Sequence, residues 1–356
     1  MTTVRSQASL AVLLGVVGVL GVSSATALAG LPGDSAAGDD PRAVALLRDA
    51  AQAMRGTSYS GTRTVSSWGR TGATTVVVEV EHAPGQGTVL DVRGGGVSRG
   101  TAMFLAASRK HAGQADSLTA DSLRLLTQTY DVRLGPSDSV AGRSSRIVEV
   151  RDAGRLVAQL WIDDRSALLL RREVFDPDGR LAGQSVFIDL SVGAREFIRH
   201  LPPVKPQSAA HGVDLTKRRQ LERVGWDCPV HLGSLSLIGI RTLESSGALH
   251  LAYSDGLTRV SVFEQPGRLD PKAVRGYDRV SLGGGVAYVR ERLPSYVVWE
   301  RDGMVMTAVT DGTVDQIAPL VGAGPGSAGK DRGFWTRLGV GMARIGSWAS
   351  PLVPAE

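Results

Sequence analysis

One cysteine, Cys228, stands among 356 residues. A single thiol closes no internal disulfide, so packing must hold the fold, and the small disulfide-stapled scaffolds are excluded. Lysine is nearly as scarce: 35 of the 40 basic residues are arginine, set against 35 acidic ones, for a formal charge of +5. So thin an excess makes no dense basic stripe and argues against a nucleic-acid partner, although it suits an anionic membrane surface. The histidines, His82, His111, His200, His211, His231 and His250, include no H-x-H or H-E-x-x-H pair. Cys228 and His231 offer two ligands where a structural zinc site needs four, so neither metal nor cofactor is expected. The longest early apolar run, residues 10–22, is too short for a comfortable membrane span.

Hydrophobic residues make up 42% of the chain and charged ones 21%, enough to bury a core, and the length suggests two domains. Glycine is plentiful at 44 residues but follows no G-X-Y period, which excludes collagen. Arg5, the apolar run and Ala27-Leu28-Ala29 before Gly30 have the layout of a cleaved secretory signal over residues 1–29. Export places the protein in the periplasm or on the outer face of the cytoplasmic membrane, where ATP and NAD are scarce. Gly324 to Lys330 fits the start of a phosphate-binding loop, but Asp331 stands where Ser or Thr must hold Mg²⁺, so the stretch reads as a linker.

A flexible leader, residues 30–41, precedes a helix over 41–54 that Asp40 and Pro41 open as cap and first turn. Residues 58–68 and 74–81 alternate as paired strands. Apolar runs at 147–150, 156–162, 168–175 and 186–190 are separated by turn chemistry at Asp152-Ala153-Gly154, Asp163-Asp164-Arg165-Ser166 and Asp176-Pro177-Asp178-Gly179. An antiparallel meander is the consequence. Leu156, Ala158, Leu160 and Ile162 share one face, as do Leu168, Leu170 and Val174, and Val186, Ile188 and Leu190. The other parity, with Trp161, Arg171, Glu173, Phe187 and Asp189, is mixed.

Helices are predicted over 118–127 and 192–201, and 202–214 reads as an interdomain linker. A short helix over 215–223, strands at 235–244, 248–253, 259–263, 286–292, 296–301 and 304–310, and a closing helix over 313–321 compose a smaller mixed α+β domain, residues 215–322. Residues 323–333 form a Gly/Ser linker. In the tail beyond, Phe334, Leu338, Met342 and Ile345 fall on one helical stripe, with Arg337 and Arg344 on another. Membrane contact through Phe334, Trp335, Arg337, Leu338, Arg344 and Trp348, docking on the protein's own body, and disorder all remain open for it.

One catalytic motif is present. Gly96-Val97-Ser98-Arg99-Gly100 matches G-x-S-x-G between strand-like and helix-like stretches. A nucleophile elbow needs a parallel sheet to bring Ser, acid and His together, whereas the chain reads as antiparallel, so a Gly-rich hairpin loop is the expectation and Ser98 is not assigned catalysis.

Two separate regions carry a resemblance to one known family. In the first, the carriers are Ser58-Tyr59-Ser60-Gly61-Thr62-Arg63 with Val65-Ser66-Ser67-Trp68, then Leu160-Trp161-Ile162-Asp163 through Leu168-Leu169-Leu170-Arg171 to Asp176-Pro177-Asp178-Gly179-Arg180 and Phe187. In the second they are Gly225-Trp226 to Leu237, and Tyr253-Ser254-Asp255-Gly256-Leu257 with Val260-Ser261-Val262-Phe263. Together these stretches resemble the MucB/RseB family of exported sigma-E regulators. The Arg-, Ala- and Gly-rich composition looks actinobacterial. The resemblance implies an α+β protein: a curved antiparallel half-barrel like the lipoprotein carriers over residues 42–201, covered by helices, plus the smaller mixed domain. It implies a non-catalytic regulator that binds the extracytoplasmic part of a membrane-spanning anti-sigma factor, shields it from a site protease and responds to lipid. A lipid carrier without a sigma-factor role is the alternative.

An open sheet cannot leave an apolar face in water, since each buried Leu or Ile gains roughly 1.5–3 kcal/mol, so helices must cover it. A loose cover would leave a ligand cavity. Val76, Val78, Val80, Leu160, Ile162, Leu168, Leu170, Val186 and Ile188 are the lining candidates, with a filled core as the plain alternative.

Overall fold

The computed structural model describes residues 38–322 apart from 71, 86, 94–117, 194–211, 214–217 and 244–246. Two antiparallel sheets account for most of it. The first is eight-stranded, in the order β3-β2-β1-β8-β7-β6-β5-β4. Its strands are β1 (Tyr59–Gly69), β2 (Gly72–Ala83), β3 (Gly87–Arg93), β4 (Asp131–Val140), β5 (Arg143–Asp152), β6 (Arg155–Asp163), β7 (Leu169–Phe175) and β8 (Leu181–Val192). The turn chemistry between 152 and 179 thus produces the meander β5 to β8. Strand β4 has no counterpart among the strands expected from the sequence, and Gly135 and Pro136, residues common in turns, lie within it. It lies at the sheet edge, where a proline costs no ladder bond, and its register slips between Leu134 and Ser137.

Side-chain alternation divides this sheet into an oily and a polar face. One cross-strand row runs Leu134, Val148, Leu160, Arg172, Ser185, Val65, Val76. The neighbouring row on the opposite face runs Arg133, Glu149, Gln159, Glu173, Gln184, Ser66, Thr75. Glu173 accepts from Gln184 at 2.7 Å, and the Ser66 and Thr75 hydroxyls lie 2.8 Å apart, so the polar row satisfies itself.

Helix α1 (Pro41–Gly56) packs on β4 and β6 of the oily face, and against α2 (Ala120–Thr129). Asp40 Oδ1 accepts from the Arg42 N–H at 2.9 Å, as the Asp-Pro pair predicts. Its 16 residues bury Ala43, Leu47, Ala50, Ala51 and Met54. In α2 a reciprocal capping box joins Thr119 and Ser122, and Leu123 and Leu126 turn inward.

The second sheet corrects a sequence expectation: it is nine-stranded and antiparallel rather than a mixed α+β layer. The strands are β9 (Gly212–Val213), β10 (His231–Leu232), β11 (Leu235–Leu243), β12 (Ala248–Ser254), β13 (Arg259–Pro266), β14 (Asp278–Leu282), β15 (Gly285–Arg290), β16 (Ser295–Arg301) and β17 (Met304–Thr310). Helical pieces are short: α3 (Arg218–Arg223), α4 (Ala318–Gly322) and single 3₁₀ turns at Pro271–Val274 and Val314–Ile317. The closing helix expected over 313–321 is therefore one such turn followed by α4. Ile240, Leu251, Val262, Ala308, Val297 and Val289 form an apolar row across six strands.

Candidate functional site

The inner face of the first sheet is the largest surface the expectations pointed to, and the ladder register decides which residues reach it. Val76, Val78, Val80, Leu160, Ile162, Leu168 and Leu170 are all buried in one apolar cluster with the inward side chains of α1 and α2. Val186 and Ile188 are placed otherwise. Val186 pairs with Arg171 on the opposite parity and is half-buried, packed only at the margin of the same apolar cluster. Ile188 is skipped where the β1–β8 register slips between Thr62 and Arg63, and it is 56% exposed. A bulge inserts one residue and reverses the parity of the strand beyond it. Phe187, read from the sequence as belonging to the mixed face, turns inward instead and is 2% exposed.

Arginines interrupt this face. The Arg63 guanidinium lies 4.4 Å from the Phe187 ring centroid, and Tyr59 meets the same ring edge-on at 6.3 Å. Arg146 shares the inward parity with Val148 and Val150, and its Nε is buried without a hydrogen-bond partner. Arg172 reaches across to donate to the Leu257 carbonyl. At the far margin His82 stacks on Tyr59 at 5.0 Å, with Nδ1 2.8 Å from the Thr88 hydroxyl. Burial holds the His82 imidazole below its ordinary pKa, partly offset by the Arg55 carbonyl.

The polar face carries its own small construction. Trp161 donates from Nε1 to Asp138 at 2.7 Å, and the Arg171 guanidinium lies over its ring at 4.4 Å while pairing with Glu173. The indole hydrogen bond keeps Asp138 below the usual carboxylate range. Below it, Asp163 is almost fully buried: burial alone would raise its pKa, but bonds from Arg143 and Ser166 outweigh that and hold it low.

The two sheets are clamped by the β12–β13 turn. Tyr130 donates to Asp255 Oδ2 at 2.7 Å, burial and that neighbouring carboxylate raising the phenol well above its normal pKa. Gly256 adopts φ +90°, and a Cβ there would overlap the Ser122 carbonyl and the Leu126 amide of α2. Leu257 and Leu293 belong to the first sheet's core although they lie in turns of the second sheet, between β12 and β13 and between β15 and β16. At a second point Glu291 pairs with Arg70 at 3.1 Å, beside the β1–β2 turn. The sequence marks 253–257 by its family resemblance and turn chemistry, but not as a contact between the sheets.

Cys228 is buried, and desolvation pushes its thiol up to about 12, whereas His231 is exposed, so the two make no half-site. Among the described residues no three His, Cys, Asp or Glu side chains could hold a metal, and no helix is long and apolar enough to cross a membrane. Ser98, His111, His200, His211, the signal segment, the helix-like stretch 101–109, residues 194–201 of the helix read over 192–201, whose first residue Val192 instead ends β8, and the tail from Phe334 to Trp348 lie outside the described residues.

The described residues thus form two clamped antiparallel sheets, one with an oily face roofed by helices. Residues 96–212 match the family model of the MucB/RseB N-terminal domain. No curated protein matches the chain. Among solved structures it is similar to MucB in the MucA/MucB complex of Pseudomonas aeruginosa, at 20% identity over 79% of this chain and 97% of that one, with a TM-score of 0.42. It is also similar to MucB alone, at 22% identity over 79% and 98%, with a TM-score of 0.41. LprF from Mycobacterium bovis is 15% identical over 46% of this chain and 98% of that one, with a TM-score of 0.23. MucB/RseB proteins are regulators, not enzymes.

Proposed function

We propose that the protein is an exported regulator of an extracytoplasmic-function sigma factor, which binds the outer part of a membrane-spanning anti-sigma factor and performs no catalysis. The match of residues 96–212 to the MucB/RseB N-terminal domain carries this reading. The described strands within that stretch, β4 to β8, supply most of the oily face and, through Tyr130 and Arg172, the clamp to the second sheet. A partner or ligand that fits one arrangement of this clamp better than another would bias it, which is how occupancy becomes release. The test is capture on the full chain from solubilised envelope, at rest and under stress. Recovery of a single-span anti-sigma protein is expected; its absence in both states overturns the reading.

Lipid response belongs to the same proposal. Arg146, whose Nε is buried without an acceptor beside Val148 and Val150, suits the anionic head of an amphiphile whose chain lies along Leu160, Ile162 and Val78. Native mass spectrometry of gently purified protein should show an acyl adduct that R146Q weakens. A clean apo mass rejects the lipid step and leaves the protein partner standing.

A further inference from the structure

The second sheet hides an acid that the binding reading does not use. Glu264 is 1% exposed and sits on the inner face between Leu249 of β12 and Met306 of β17, its cross-strand neighbours. Trp299 of β16 extends the row on the far side of Met306. Glu264 Oε2 accepts from the Asp227 backbone N–H at 3.1 Å, while Oε1 is buried with no hydrogen-bond partner. Residues 226–230 therefore cross this face as a strap, tied again where Tyr253 donates to the Pro229 carbonyl at 3.0 Å and Arg218 to the Cys228 carbonyl at 3.1 Å. The Asp227 side chain pairs with Arg301, whose other nitrogen donates to the Leu320 carbonyl of α4 at 3.0 Å. Arg301 also walls a cavity of about 350 Å³, with Trp299, Val286, Val321 and Gly322.

We propose that the strap is a proton-locked latch: the acid form of Glu264 holds residues 226–230 closed, and loss of its proton loosens them and, through Asp227 and Arg301, the α4 wall of the cavity. An ionised carboxylate in that place has one backbone N–H and apolar flanks, too little to replace water. Asp227 adds a like charge from the strap, and Arg301 on β16 is the cation that opposes it. The strap carries the Cys228 thiol, and the Tyr253 phenol faces it, both raised by burial, with Glu222 and Arg218 from α3 beside them. Burial lifts Glu264 to about 8, against 4.5 for the hydrated carboxyl of an open strap. Closure is thus fully favoured below the lower value, weakens about tenfold per pH unit between the two, and levels off above the higher one.

Cys228, within the strap and buried while it is closed, is the sole thiol, so N-ethylmaleimide labelling of the full chain, normalised to a free-cysteine peptide at each pH, reads the opening. Wild type is expected to label faster with rising pH, approaching tenfold per unit from about 5.5 to 7.5 and flattening above about 8. E264Q should remove the slope. A flat wild-type profile, or an unchanged slope in E264Q, overturns the latch. Should E264Q not fold, hydrogen exchange at the Asp227 amide of wild type, corrected for intrinsic pH dependence, must show the same rise and plateau, and a monotonic or flat course counts against it.

Discussion

The two sheets solve one problem in different ways. In the first, helices roof the oily face: α1 and α2 lay Leu47, Met54, Leu123 and Leu126 against Val132, Val148 and Leu160. In the second, an extended strap and pieces of at most six helical residues cover the face, and the strap is pinned over a buried acid. Helices bury large apolar area without unmet backbone groups, whereas a strap must find partners for each N–H and C=O it brings inside. The first cover depends on packing and the second on polar contacts and protonation. A single stress should therefore not act equally on both.

Substitutions can break or sharpen this contrast. The largest effect is expected at Leu160, fully buried beneath α1 and α2. L160A should cost about 2–5 kcal/mol in urea titration, with little change in the Cys228 labelling profile. Next comes G256A, which forces a Cβ into the α2 backbone at positive φ. About 3 kcal/mol of loss is expected, together with two resolved unfolding transitions in calorimetry where wild type shows one. A single sharp transition in G256A would mean that the sheets do not depend on that turn.

D163N is expected to cost about 1.5–3 kcal/mol at pH 7, because Arg143 and Ser166 lose a charged acceptor. The Asp163 pKa is depressed, so its contribution is present above the ordinary 3.8 and is lost as pH falls through the lower folded value. Acid titration of D163N should accordingly be flatter than that of wild type in this window. Y130F removes one bond to Asp255, which Thr258 still serves, and should cost about 1 kcal/mol.

Much of the first sheet was legible because its turns are written in Asp, Gly and Pro and its strands alternate cleanly from 147 to 175. Two things were not. Pro136 disguised β4, since turn residues tolerated at an edge look like a loop when the neighbouring strand is unknown. The bulge at Ile188 reversed the inward and outward assignment of Val186, Phe187 and Ile188, and a bulge is set by the partner strand rather than by local sequence. In the second sheet the strand expected over 259–263 stops short of Glu264, which was missed, although it shares the parity of Val260 and Val262 and an acid in an apolar alternation is a signal for a buried site. The turn 255–257 carries the same chemistry as any exposed hairpin, and only its contacts with α2 and β7 reveal a clamp.

The most direct test is protection. The extracytoplasmic segment of each single-span anti-sigma factor from the same cells is incubated with its site protease, with and without the full chain. One such segment should be cut far more slowly when the chain is present, and the protection should weaken in G256A. Equal cleavage of every segment with and without the chain would contradict a protein that works by holding a partner.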